Sequence, residues 1–374
     1  MFTPSRLTFA RKRRSMTVTK LATVTGVSRE TLSAYENGRS LPQAPMLAAL
    51  ARALNVPAAF LAAEEIAPLD ETAVSFRSLS KRSATQRNAA LAAGRLGVDF
   101  MKWVDERFTL PQPDVPTLPD HSPEIAADIV RARWGLGNQP VSRIIHLLEY
   151  HGVRVLCLPT ECETIDAFSV EVDSIPHVFL SNSKTPERIR FDAAHELGHL
   201  VLHSEHREPG SDKTDEEAAN AFAAAFLMPG PSILAEGLHN ADAELIVRAK
   251  RIWNVSAMAL ARRLNELDLL TEWRYRDACV QLARQGFRKS EPDGMEIREG
   301  SRLLPKVLAA LRSERIPLST IATDLAISVD ELRSYFVGLA PTLLRGGGTD
   351  LSTPTRPALH LIKTDSRTAT TRRA

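Results

Sequence analysis

The chain has 374 residues, of which 44% are hydrophobic and 25% charged, a composition typical of a globular protein rather than a disordered or fibrous one. No apolar run approaches the roughly 18 residues that a membrane-spanning helix needs, and the basic N-terminus lacks the apolar stretch of a secretion signal. Three cysteines without CxxC spacing argue against a disulfide framework and against a zinc ribbon. We therefore expect a cytoplasmic protein with no membrane association.

The charge is unevenly distributed along the chain. Residues 1–63 carry nine Lys or Arg and two Glu, a net charge of +7, whereas the whole chain carries +2. A short basic segment joined to a mildly acidic remainder is typical of a polyanion-binding module attached to another domain.

The basic segment has the pattern of a helix-turn-helix. TKLATVTGV and SRETLSAYENG carry apolar residues at helical spacing, Gly26 supplies a tight turn, and Ser28 is a helix cap. The N-terminal side chains of such a second helix can reach base edges in the major groove. The candidate DNA-contacting residues are Ser28, Arg29, Glu30, Ser33, Ala34 and Arg39, and Arg11 to Arg14 are expected to contact phosphates.

YENGR and the downstream LPQAPMLAALARAL make this segment similar to the XRE-type helix-turn-helix family. The resemblance implies binding to an operator in double-stranded DNA. One departure is Val18, where family members commonly have a phosphate-anchoring glutamine. The alternative interpretation is a small basic bundle that binds protein.

Hydrophobic periodicity predicts a mainly α-helical protein with a small β-sheet. VRVLCL, AFSVEV and HVFLSN are the predicted strands, and the run LPQPDVPTLPD is the predicted linker. The expected units are 1–63 (helix-turn-helix), 64–122 (helical connector with the proline-rich linker), 123–268 (a domain holding the strands), 269–343 (a helical C-terminal module) and 344–374 (a disordered tail). We identify no internal repeat of fixed period. STIATDLAISVDEL has a helix–turn–helix rhythm without a basic excess, which favours an interaction or dimerisation module.

The run HELGH predicts a zinc site. Residues i and i+4 of a helix share a face, so His195 and His199 can direct both imidazoles at one ion, while Glu196 reaches a metal-held water as a general base. The alternative is a surface helix whose two neighbouring histidines bind no metal. The apolar context and Gly198, which costs helix propensity, favour a buried site where another backbone or a substrate comes close.

A catalytic zinc site needs a third protein ligand. The metzincin pattern is excluded because its glycine and histidine positions hold Leu202 and Glu205. In the helix that follows HELGH, Glu216 lies on the same side as the apolar residues expected to pack inward, which favours it as the third ligand. Glu217 is the alternative. His203, one turn after His199, is a candidate for supporting the ligands or contacting substrate.

RFDAAHELGHLVLH followed by EEAANAFAAAFLMP closely resembles the ImmA/IrrE family of zinc metallopeptidases. The resemblance implies a zincin-like α+β fold over roughly residues 124–265 and a third zinc ligand from the ExxANxFA helix, which falls on Glu216 here. It also implies cleavage of a helix-turn-helix repressor protein.

The leading hypothesis is therefore a DNA-binding transcriptional regulator, expected to be a homodimer, that carries a zinc peptidase domain. A second hypothesis is a transcription factor whose zinc domain senses a ligand or holds structure without turnover. A third is an antitoxin or phage-related repressor without metal.

Overall fold

The computed structural model describes residues 2–71, 74, 83–202, 212–336 and 338–339. The fold class is the expected one, because helices in this part of the chain surround one small three-stranded sheet. His203 and the predicted disordered tail 344–374 lie outside the described residues. The domain boundaries drawn from the sequence stay predictions.

The first helices form the expected helix-turn-helix. They are α1 (Pro4–Arg13), α2 (Val18–Thr25), α3 (Arg29–Glu36) and α4 (Ala44–Ala53), followed by a 3-10 turn (Ala58–Ala62). Gly26 ends α2 with φ +70°, a left-handed conformation that glycine adopts at little cost. The Ser28 side chain then accepts a hydrogen bond from the Thr31 N–H and begins α3. These two residues set the turn between the helices.

The next helix, α5 (Ala84–Asp105), is a core element rather than a peripheral connector. Its buried residues surround nearly the whole helix, as expected of one enclosed by other elements. A Cβ on Gly94 would lie 2.8 Å from Phe168 Cζ, and one on Gly97 would lie 2.6 Å from Phe179 Cε1. The two glycines therefore let α5 lie directly on the sheet, while α1 packs against the same helix.

The sheet follows α6 (Pro123–Arg133) and α7 (Ile144–Tyr150). Its strands are β1 (Arg154–Cys157), β2 (Ala167–Val172) and β3 (Ile175–Leu180), each within or beside a predicted strand. β2 and β3 form an antiparallel hairpin whose two loop residues, Asp173 and Ser174, both have positive φ, as a type I′ turn requires. β1 pairs parallel to β3, which gives the order β1-β3-β2.

Two helices that pack closely on each other follow the sheet, α8 (Pro186–Leu202) and α9 (Asp212–Leu227). The remaining helices are α10 (Gly230–Ala235), α11 (Ala243–Trp253), α12 (Ala257–Glu266), α13 (Glu272–Arg284), α14 (Leu303–Ser313), α15 (Leu318–Asp324) and α16 (Val329–Ser334). Among the described helices, none combines the length and apolarity needed to cross a bilayer.

The proline-rich segment that the sequence predicts as a linker is hydrogen-bonded to neighbouring elements. The Asp114 N–H donates to the His151 carbonyl at 2.9 Å, and the Leu118 N–H donates to the Val201 carbonyl at 2.6 Å. Proline prevents this segment from forming a helix, and its remaining backbone groups bond to neighbouring elements instead. Because Val201 lies in the last turn of α8, the segment satisfies a carbonyl at the end of that helix.

Candidate metal centre and DNA-reading surface

Three side chains from α8 and α9 converge on one point. His195 and His199 lie one turn apart on α8, with their Nε2 atoms 3.0 Å from each other. Glu216 of α9 places Oε1 3.2 Å from His199 Nε2 and Oε2 3.4 Å from His195 Nε2. Glu216 is only 4% exposed, whereas Glu217 is exposed and lies outside the cluster. The geometry thus favours Glu216 over the alternative carboxylate as a third ligand.

Gly198 explains how α9 comes close enough to bring Glu216 to the histidines. A Cβ on this glycine would lie 3.1 Å from the Ala219 carbonyl oxygen and 3.1 Å from Phe222 Cδ1. The missing side chain therefore admits the backbone of α9, less than one turn beyond Glu216. Of the two roles that the sequence left open for this glycine, the structure supports the close approach of another backbone.

The electrostatics of the cluster favour a cation between the three groups. Burial lowers the pKa of His195, but the hydrogen bond to Glu216 and the charge of Glu196 outweigh it, and the net shift is upward. Burial raises the pKa of Glu216, but hydrogen bonds from His195 and His199 outweigh it and hold the pKa far below its usual range. Two imidazole nitrogens 3.0 Å apart require a proton or a metal ion between them. A divalent cation would replace that proton.

Zinc fits this donor set. The three donor pairs are separated by 3.0 to 3.4 Å, and the edge of a zinc tetrahedron with bonds of about 2.0–2.1 Å is about 3.3 Å. Two imidazoles and one carboxylate leave a fourth position for water, the pattern of catalytic rather than structural zinc sites. Within the described part of the chain, no other trio of His, Cys, Asp or Glu converges in this way.

Glu196 lies next to these three residues without joining them. Its side chain is buried, and its Oε2 accepts a hydrogen bond from Ser169 Oγ at 2.8 Å. Ser169 is itself buried on β2, which packs against α8. Sequence reasoning missed this serine. The available signal was a hydroxyl in the middle of the apolar strand AFSVEV, where a buried donor needs a partner.

The residues predicted to contact DNA lie on or beside α3. Ser28, Arg29, Glu30 and Arg39 are exposed, whereas Ser33 and Ala34 are half-buried. The Ser28 hydroxyl also serves as the cap of α3. Lys20 on α2 is a further exposed cation close in sequence to this surface, which we call the DNA-reading surface. Its cations can reach phosphates without first breaking a buried ion pair.

Arg11, Arg13 and Arg14 do not fulfil the expectation of phosphate contacts. Arg11 forms a two-pronged ion pair with Glu36. Arg13 and Arg14 both bind the carboxylate of Glu331, at 2.7 and 2.9 Å. These acidic partners are distant in the sequence, so the local run of positive charge is misleading as a guide to the DNA surface.

We predict that Gly198→Ala weakens zinc binding about 10- to 100-fold, the range typical of changes that displace metal ligands indirectly. The added methyl pushes α9, and with it Glu216, away from the histidines. Isothermal titration with zinc measures the affinity. Gly230→Ala is the matched control, because the nearest side-chain atom would be 3.7 Å away. Equal affinity in the wild type and the Gly198 variant would contradict this role.

We predict that Arg29→Ala and Arg39→Ala each lower the affinity for duplex DNA of arbitrary sequence. Each removes one phosphate-neutralising cation, so the slope of log K against log salt should shrink by about 1 per substitution. Fluorescence anisotropy across a salt series measures that slope. Arg262→Ala, an exposed arginine on α12, should leave it unchanged. An unchanged slope in both reading-surface variants would place the DNA contacts elsewhere.

Comparison with known families agrees with this geometry. Residues 148–265 match the family described as the IrrE N-terminal-like domain, Peptidase_M78, a span that holds β1 to β3 and the three converging residues. Residues 9–61 match the family described as Helix-turn-helix, HTH_3. None of the curated proteins compared with the chain matches it. The chain thus joins an XRE-type helix-turn-helix domain to an IrrE N-terminal-like domain of the peptidase type.

Proposed function

We propose that this DNA-binding regulator uses a zinc centre held by His195, His199 and Glu216 to hydrolyse a peptide bond in a protein partner. The observation that carries the proposal is the position of Glu196. Its carboxylate is buried beside the three proposed ligands and bonded to Ser169, yet it is not one of the trio. A structural or sensing zinc site has no need of a fourth acidic group held in this way, whereas a hydrolytic site needs a general base.

The proposed chemistry divides between the metal and this chain. When bound, zinc would act as a Lewis acid that lowers the pKa of a coordinated water to near neutrality. Glu196 accepts the proton of the attacking water and later delivers it to the leaving amine. Ser169 donates to Oε2 of Glu196 and so holds the carboxylate in one orientation. Burial of both residues keeps bulk water from competing for that hydrogen bond.

The proposed substrate is a protein of the helix-turn-helix repressor type, and the proposed DNA partner is an operator. Cleavage of such a repressor would release transcription. A homodimer stays a prediction. The alternative, a zinc domain that senses a ligand without turnover, uses the same three ligands and differs in giving Glu196 no chemical role.

We predict that Glu196→Gln keeps zinc and loses peptide hydrolysis by about 10²- to 10⁴-fold, the usual contribution of a general base. Ser169→Ala should reduce the rate less, because it loosens the base without removing it. The assay incubates the zinc-loaded full chain with purified repressor-type proteins, with and without chelator, and identifies fragments by mass spectrometry.

The matched control for this assay is Glu217→Gln, an exposed carboxylate close to the site in sequence. It should cut at the wild-type rate. Cleavage that persists in Glu196→Gln, or that survives complete removal of zinc, would contradict the peptidase proposal. Zinc-dependent promoter output that is unchanged by Glu196→Gln would favour the sensing alternative.

A further inference from the structure

The C-terminal helices follow the spacing of the first three helices with an offset of 299 or 300 residues. α14, α15 and α16 begin at 303, 318 and 329, and α1, α2 and α3 begin at 4, 18 and 29. The helix–turn–helix rhythm that the sequence shows in STIATDLAISVDEL is therefore present in the structure. The likeness to the first helices lies in backbone conformation and burial more than in residue identity.

The left-handed backbone positions coincide in the two sets of helices. Ser15 after α1 has φ +51°, and Arg315 after α14 has φ +58°. Gly26 after α2 has φ +70°, and Ala326 after α15 has φ +54°. Positive φ is uncommon for residues other than glycine, and it recurs here at both matched turns, in each case one or two residues after the helix ends.

The caps and the buried positions coincide as well. Ser28 accepts from the N–H of the residue three positions on, and Ser328 does the same with Glu331. Buried apolar residues at matched positions include Leu7 and Val307, Leu21 and Ile321, Ala22 and Ala322, and Leu32 and Leu332. Residues 302–336 therefore form a second helix-turn-helix unit, which we call the second unit, and residues 2–36 form the first unit.

The second unit has lost the chemistry of a DNA reader. Exposed Arg29 is matched by half-buried Val329, and exposed Arg39 by buried Leu339. Glu331 stands in the first turn of α16, where a reading helix approaches the negatively charged groove. The first turn of α16 carries two carboxylates, Asp330 and Glu331, where that of α3 carries one, Glu30, and the added negative charge suits a cationic partner.

That cationic partner is the end of α1. Glu331 Oε1 accepts from Arg13 Nε at 2.8 Å, and Glu331 Oε2 accepts from Arg14 Nη2 at 2.9 Å. Arg13 is 2% exposed and Glu331 is 6% exposed. Burial raises the pKa of Glu331, but the two guanidinium groups outweigh it and hold the pKa below its usual value. A buried charge cluster of this kind is costly unless every partner is in place, so it specifies one arrangement of the two units.

The second unit is also fixed to α5 and to the sheet. Tyr335 Oη donates to the Ala93 carbonyl of α5 at 2.8 Å. The Cys157 N–H of β1 donates to the Tyr335 carbonyl at 3.1 Å. Through Glu331 and Tyr335, the second unit thus contacts α1, α5 and the sheet.

We propose that the second unit is an intramolecular dock for the first unit, with the arginine pair Arg13 and Arg14 bound in place of DNA phosphates. The dock holds the DNA-reading surface in one orientation relative to the metal centre, and it does so through α1 rather than α3. The reading surface stays exposed while docked. This role stands whether or not the metal centre turns over.

The test measures one distance across the dock in the full chain. Spin labels are placed at Thr23→Cys on α2 and at Glu244→Cys on α11, both exposed, in a Cys279→Ser background because Cys279 is the one cysteine that is not buried. Double electron–electron resonance on the otherwise unaltered chain should give one narrow distance distribution. Glu331→Arg, which places three guanidinium groups together, should give a broad one. Adding Arg13→Glu to Glu331→Arg restores a pair of opposite charges and should narrow the distance distribution again.

The matched control is Asp330→Arg, which adds the same charge to the same helix at a side chain that is 84% exposed. It should keep the narrow distribution. Glu331→Gln removes the charge but keeps the shape of the side chain. It is a second test of the ion pair with the arginines and should also broaden the distance distribution. A narrow distribution in both Glu331 variants would overturn the dock, as would a broad one in the control or a failure of Arg13→Glu to restore order. DNA binding that is lost on Arg333→Ala, rather than on substitution of Arg29 and Arg39, would overturn it by assigning DNA reading to the second unit.

Discussion

The close approach of α8 and α9 at Gly198 is the constraint on which the site depends. Two histidines on one helix provide only two ligands, and the third comes from a different helix. The position of that helix is set by contact between a bare glycine backbone and the backbone at Ala219. Glycine at this position destabilises the helix by about 1 kcal/mol relative to alanine. The close approach of α9, which brings Glu216 to the histidines, accounts for its presence here.

The elements around the sheet and α8 support this approach from several sides. β2 lies against α8 and carries Ser169, which orients Glu196. α5 lies on the sheet because Gly94 and Gly97 leave room for two phenylalanine rings. The proline-rich segment bonds to a carbonyl at the end of α8. Each of these contacts restricts how α8 can move relative to the sheet, and restricted ligands bind metal with less loss of conformational entropy.

The sequence predicted those features that depend on local patterns. HELGH, the strands and the caps follow from spacing and residue type within a few positions, and the structure has these elements where they were expected. Helical periodicity favoured Glu216, which shares a stripe with Ala223 and Leu227, and left Glu217, on the stripe of Ala221 and Ala224, as the alternative.

Features that depend on contacts between distant residues could not be predicted in this way. Ser169 acts on a residue 27 positions away, and nothing local marks its partner. Arg13 and Arg14 look like DNA contacts until Glu331, more than 300 positions later, is known to bind them. The sequence match between the two units is weak because Ala326 stands where the first unit has Gly26 and Val329 where it has Arg29.

The central claim is that one zinc ion is held by two imidazoles of α8 and one carboxylate of α9. Zinc K-edge X-ray absorption of the metal-loaded full chain tests it most directly, with Glu216→Ala compared against Glu217→Ala. The account predicts two imidazole nitrogens and a carboxylate oxygen in the wild type and in Glu217→Ala, and loss of the carboxylate signal or of zinc itself in Glu216→Ala. An unchanged spectrum and full zinc occupancy in Glu216→Ala would contradict it.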